Sequence, residues 1–98
     1  MFVAVCQITL HAPTSASLKD KRQVVRSVLQ RVRNQFEVAA AEVATQESWQ
    51  VATLGISYVS GDARHAEEVV QNAARYIEES RPDVDVTDVQ IDVLPVDW

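Results

Sequence analysis

The sequence predicts an α+β fold in which strands and helices follow the order βαββαβ. Three observations carry this. Residues 1–10, MFVAVCQITL, are apolar at nearly every position, as in a sheet-centre strand covered on at least one face. Two later stretches repeat apolar residues at helical spacing. The remaining segments are rich in β-branched residues or alternate between apolar and polar.

The first strand gives way to the Pro- and Ser/Thr-bearing connection HAPTSAS, residues 11–17. Ser17 and Asp20 then form an S-x-x-D helix start, in which the serine caps a backbone N–H and the acid sits in the first turn. Val25, Val28, Leu29, Val32 and Phe36 share one stripe, which predicts a helix to about Gln35. Glu37–Thr45 and Gln50–Ser60 read as strands joined by a turn at Gln46–Trp49, although the alanine-rich first of them could pass for helix on propensity alone. Gly61–Asp62 ends the strand and opens a second helix, with Ala66, Val69, Val70, Ala73 and Ile77 on one stripe and Arg81–Pro82 as its stop. Val84–Pro95 alternates, with a slip between Val86 and Val89 that predicts a bulge. Two helical crossovers around a central hairpin make a single ferredoxin-like sandwich over residues 1–98: a four-stranded antiparallel sheet with both helices on one face. If Phe2, Ala4, Cys6 and Ile8 face the helices, then Val3, Val5, Gln7 and Thr9 line a face that is wet or meets a partner.

The net charge of −5 argues against indiscriminate nucleic-acid binding, yet the charge is unevenly spread. Residues 1–49 hold six Lys/Arg against four Asp/Glu, and residues 50–98 hold three against ten, so the halves carry +2 and −7. The cations gather in SLKDKRQVVRSVLQRVR, residues 17–33, with Asp20 as the single acid. Lys19, Arg22, Arg26 and Arg33 fall within an arc of roughly 60° on the first helix. Arg31 and Arg33 suit a helix C-terminus, whereas Lys19, Lys21 and Arg22 crowd the first turn, where the helix dipole disfavours cations by about 0.3–1 kcal/mol each. Beside free N–H groups and the hydroxyls of Thr14, Ser15 and Ser17, these cations describe a candidate phosphate site. The equally misplaced Glu78 and Glu79 at the end of the second helix show that a solvated charged face would look the same. Lys21 points into the apolar arc, so a structural role is favoured for it, either snorkelling over the core edge or pairing with a carboxylate such as Glu42.

The S-L-K-x-K-R run at 17–22, NQFEVAAAEV at 34–43, Trp49-Gln50, Leu54-Gly55 and Val59-Ser60 together resemble the YlxP-like family of small bacterial proteins, a domain of unknown function (DUF503). The resemblance covers nearly the whole chain and implies a ferredoxin-like fold. Genes of that family often neighbour translation-initiation and ribosome-maturation genes, which implies an RNA- or ribosome-linked role.

Other chemistries are set aside. Cys6, the only cysteine, has strand-like neighbours and reads as an inert buried thiol. His11 and His65 show no metal-ligand spacing, so neither a metal nor a cofactor is expected. Only two glycines are present, in no phosphate-binding loop, and HAPTSAS lacks the glycine and arginine of an acylphosphatase-like loop. Phe2 and Tyr58 do not make the aromatic platform of an RNA-recognition sheet. Trp49, in the hairpin turn, either folds onto the core or anchors an interface. No apolar run is long enough for a membrane span, so a cytoplasmic protein is expected. The leading expectation is a non-enzymatic module binding RNA or a ribosomal particle through Ser17, Lys19, Lys21, Arg22 and Arg26. A homodimeric interaction domain is the alternative, and an enzyme acting on a phosphorylated small molecule, with Asp20 and the hydroxyls of Thr14, Ser15 and Ser17 as its local acid or base candidates, is a minor third.

Overall fold

The computed structural model describes all residues, Met1–Trp98. Its elements are β1 (Phe2–His11), α1 (Leu18–Phe36), β2 (Ala39–Ala44), β3 (Val51–Ser60), α2 (Ala63–Ser80) and β4 (Asp85–Pro95). The strands form one antiparallel sheet in the order β2-β3-β1-β4, the predicted ferredoxin-like topology. The inward residues of β1, Ala4, Cys6, Ile8 and Leu10, are buried against Val25, Val28, Leu29 and Val32 of α1 and Ala66, Val70, Ala73 and Ile77 of α2, so both predicted helical stripes face the core. Phe36 and Tyr76 lock the two helices edge to face, with ring centroids 5.4 Å apart. The slip foreseen in β4 is real: Thr9 pairs with Asp88 but Leu10 with Val86, leaving Thr87 as the extra residue.

The alanine-rich segment is a strand, because pairing with β3 overrides its helical propensity. It is shorter than the predicted Glu37–Thr45, for a backbone reason at each end. Glu37 takes the left-handed conformation (φ 54°) and closes α1 by donating its N–H to the Arg33 carbonyl at 3.0 Å. Thr45 is also left-handed (φ 71°), which turns the chain out of the sheet. That conformation in a β-branched residue costs on the order of 1–3 kcal/mol, so something must hold it.

Lys21 is what holds it. Its side chain is 1% exposed, and its ammonium meets Glu42 Oε2 at 2.9 Å, the Thr45 carbonyl at 2.5 Å and the Val51 carbonyl at 3.4 Å. An ammonium has three donors and all three are used. The Thr45 hydroxyl adds to the knot, accepting the Thr53 N–H at 2.8 Å and lying 3.3 Å from Glu42 Oε2. Of the two structural roles open to Lys21, pairing with Glu42 is the one present, and it ties α1 to both flanks of the β2–β3 turn.

Removing one member of this pair strands the other charge in a poorly hydrated place. Lys21→Met or Glu42→Leu alone should cost about 3–5 kcal/mol in urea unfolding, and the double substitution should recover most of that loss. A simple sum of the two single losses would show that the groups do not act together.

Cys6 sits in the core, and burial pushes its thiol from 9.0 up to about 11. The unfolded chain therefore releases this proton first. The resulting stability, about 2–3 kcal/mol, is fully present below pH 9 and is lost as pH rises toward 11. Unfolding titrations from pH 8 to 11 should show this fall, and a Cys6→Ala variant should lack the thiol's share of it.

Candidate functional site

The first turn of α1 is less open than its sequence suggests. Ser17 is the N-cap, and its Oγ accepts the Asp20 N–H at 3.1 Å. Asp20 reaches back, its Oδ2 accepting the Ala16 N–H at 3.1 Å. The Ser15 hydroxyl is buried and donates to the Ser17 carbonyl at 3.2 Å. Of the groups expected around a phosphate here, Ser15, Ser17 and Lys21 are therefore already engaged, and a carboxylate stands among them. Lys21 in particular leaves the set of anion contacts, because its ammonium is enclosed and fully bonded. Beside this turn, Thr14, Ser15, Asp20, Gln23 and Arg81 line a pocket of about 390 Å³. Its arginine is held by Asp83 through contacts of 2.8 and 2.6 Å, which raises the Arg81 pKa and lowers that of Asp83. Of the acid or base candidates for an enzyme, Asp20 is occupied as a cap and the Ser15 and Ser17 hydroxyls are engaged by the backbone.

What the structure leaves free is the outer face of α1. Lys19, Arg22, Arg26 and Arg31 are exposed, and none is in an ion pair; the two ion pairs of the molecule are Lys21–Glu42 and Arg81–Asp83. Arg33, although it shares their arc, donates through Nε (3.1 Å) and Nη2 to the Ala40 carbonyl at the outer edge of β2. Gln23, Arg26, Ser27, Gln30, Arg31 and Asn34 line a shallow groove of about 490 Å³ with no apolar residue in it. These amides and hydroxyls were overlooked as candidates, although Gln23, Ser27, Gln30 and Asn34 recur at steps of four, three and four and so share a helix face. The surface thus centres on the middle of the helix rather than on its N-terminus.

Trp49 is 58% exposed, which rules out its packing on the core. The space beneath its turn is filled by the Lys21 ammonium, and the turn is pinned from several sides. Ala12 donates its N–H to the Gln50 carbonyl at 2.8 Å, and the Gln50 amide donates to the carbonyls of Pro13 and Ser15, each at 3.2 Å. The indole therefore stands outward on a fixed turn at the end of the molecule where α1 begins.

His65 lies at the opposite end, its Nε2 3.4 Å from the Tyr58 hydroxyl. No group of three or more His, Cys, Asp or Glu side chains converges as a metal site, and no helix is long and apolar enough to cross a membrane.

The sheet face away from the helices is uncovered. Its register places Ala39, Ser57, Val5 and Asp92 in one row, and Ala41, Gly55, Gln7 and Gln90 in the next. Small residues on β2 and β3 leave a trough of about 850 Å³. A Cβ at Gly55 would lie 2.8 Å from Val43 Cγ1, so a larger residue there would have to push the exposed Val43 side chain aside.

Comparison with known proteins agrees with this architecture. A solution NMR structure of a de novo designed protein with ferredoxin fold superposes with a TM-score of 0.53 at 14% identity, covering 96% of this chain and 84% of the other. The uncharacterized protein YlxP of Bacillus subtilis (strain 168) is 33% identical over 84 residues, which span 86% of this chain and 88% of that protein. The family model described as protein of unknown function (DUF503) matches residues 3–91, and the chain belongs to that family.

Proposed function

We propose that this protein is a small non-enzymatic binding module that docks the phosphate backbone of an RNA, as presented by a ribosomal particle, on the outer face of α1. The observation that supports this most is the exposed, unpaired stripe of Lys19, Arg22 and Arg26, with Arg31 across the groove on the other flank of the helix, in a chain whose net charge is −5. Leaving these cations without partners while acids abound elsewhere keeps one face electropositive and the rest repellent, so a polyanion is oriented as well as attracted. The groove of amides and hydroxyls beside Arg26 and Arg31 adds neutral donors for phosphate and sugar oxygens. No aromatic or shaped pocket on this helix would read a base, so affinity comes from the backbone and varies little with sequence.

With about three phosphates neutralised, raising salt from about 50 to 200 mM should weaken binding by roughly 20- to 40-fold. Each single neutralisation, such as Arg22→Gln or Arg26→Gln, should lower the salt slope by about one. In gradient sedimentation of lysate at low salt, the wild type should travel with ribosomal particles. A folded Lys19/Arg22/Arg26→Glu variant should remain at the top. If both remain at the top, or if salt leaves affinity unchanged, α1 presents only a solvated face.

A further inference from the structure

We infer that the open face of the sheet is a self-association surface, taken up by the same face of a second copy of this chain. Its exposed apolar residues point there. Val43 (52% exposed), Val59 (58%) and Leu94 (45%) lie on this face, whereas neither helix exposes a large apolar side chain. Val59, Val3 and Leu94 form one continuous row across β3, β1 and β4.

The sheet edges are unsuited to strand addition. On β2 the carbonyls of Ala40 and Glu42 are capped by the side chains of Arg33 and Gln46. The β4 edge carries Asp85, Asp88, Asp92 and a terminal proline, the usual deterrents to strand pairing. A second copy must therefore meet the face.

The shape of the face matches itself under one two-fold axis. Across the sheet one half is small, with Ala39 and Ala41 on β2 and Gly55 and Ser57 on β3. The other half is larger, with Val5 and Gln7 on β1 and Gln90 and Asp92 on β4. A two-fold axis parallel to the strands, between β3 and β1, lays the small half of each copy under the large half of the other. Gly55 then receives Gln7, Ser57 receives Val5, and Val59 meets Val3, each contact occurring twice, as an isologous interface requires. Asp92 comes to lie over the alanines of β2 and stays distant from its own counterpart, so the acidic edges do not oppose one another. Three strands of 10, 10 and 11 residues and one of 6, spaced about 4.8 Å apart, offer about 600 Å² per copy, or about 1,200 Å² in all. That is the lower limit of specific interfaces and fits a dimer that forms in the micromolar range.

The test is mass by light scattering or sedimentation equilibrium from low to high micromolar, with the full chain. The mass should rise from 10.9 kDa toward twice that value. Ser57→Arg should hold it at the monomer value, and Gln71→Arg on the exposed side of α2 should leave it doubled. A second measurement does not depend on the Ser57→Arg variant folding. Ala39→Cys and Asp92→Cys proteins, mixed, should be joined by a bis-maleimide spanning about 10 Å, the separation of stacked sheets, far faster than either protein alone, whose own thiols would stand on opposite outer strands. A wild type that stays at 10.9 kDa to high micromolar overturns the inference. So does a dimer that survives Ser57→Arg, or one whose mixed thiols fail to join.

Discussion

The architecture depends on a single buried ammonium. Lys21 reaches from the first turns of α1 to Glu42 on β2, to the left-handed Thr45 and to the first residue of β3, so one cation sets the position of three segments. Because it is enclosed, its charge is tolerable only with every donor satisfied, and each partner must sit where it does. The turn between β2 and β3 is consequently shaped around a point charge rather than an apolar plug. This explains both the strained backbone at Thr45 and the outward position of Trp49. Ion pairs of this kind add less to net stability than to uniqueness, since any other packing of the hairpin would strand a charge.

The same contact divides the basic helix into two functions. A run of six cations in 17 residues looks uniform, yet the structure assigns its members differently. Lys21 is structural, Arg33 closes an edge of the sheet, and Lys19, Arg22, Arg26 and Arg31 stay free. What each side chain bonds to in the fold, not its place in the run, decides whether it is available to a ligand.

Much of this was legible in the sequence. Helical spacing placed α1 and α2, a continuous apolar run placed β1 and alternation placed β4, and the slip near Val86 announced the bulge, because burial on one face fixes register wherever one face is apolar. The S-x-x-D signal located the start of α1, and the helical angle of Lys21 set it apart from the outer cations as structural. Less was visible where long-range contact decides. Propensity could not choose between helix and strand for AAAEVA, and nothing local indicated that Glu37 and Thr45 would turn left-handed. Asp20 was seen as a first-turn acid, but its bond to Ala16, which blunts the helix end as an anion site, needed coordinates. Trp49 was ambiguous for the same reason, since what fills the space beneath a turn is set by a residue 28 positions away.

The side-chain caps on β2 bear on how association ends. Growth into fibres needs a surface that reappears after each addition, as an unpaired strand edge does. Here Arg33 and Gln46 occupy the outward carbonyls of one edge, acids and a proline guard the other, and helices cover one face. The remaining sheet face is consumed by whatever first covers it. Any assembly through that face would terminate, so crowding would favour small closed complexes over open-ended polymers.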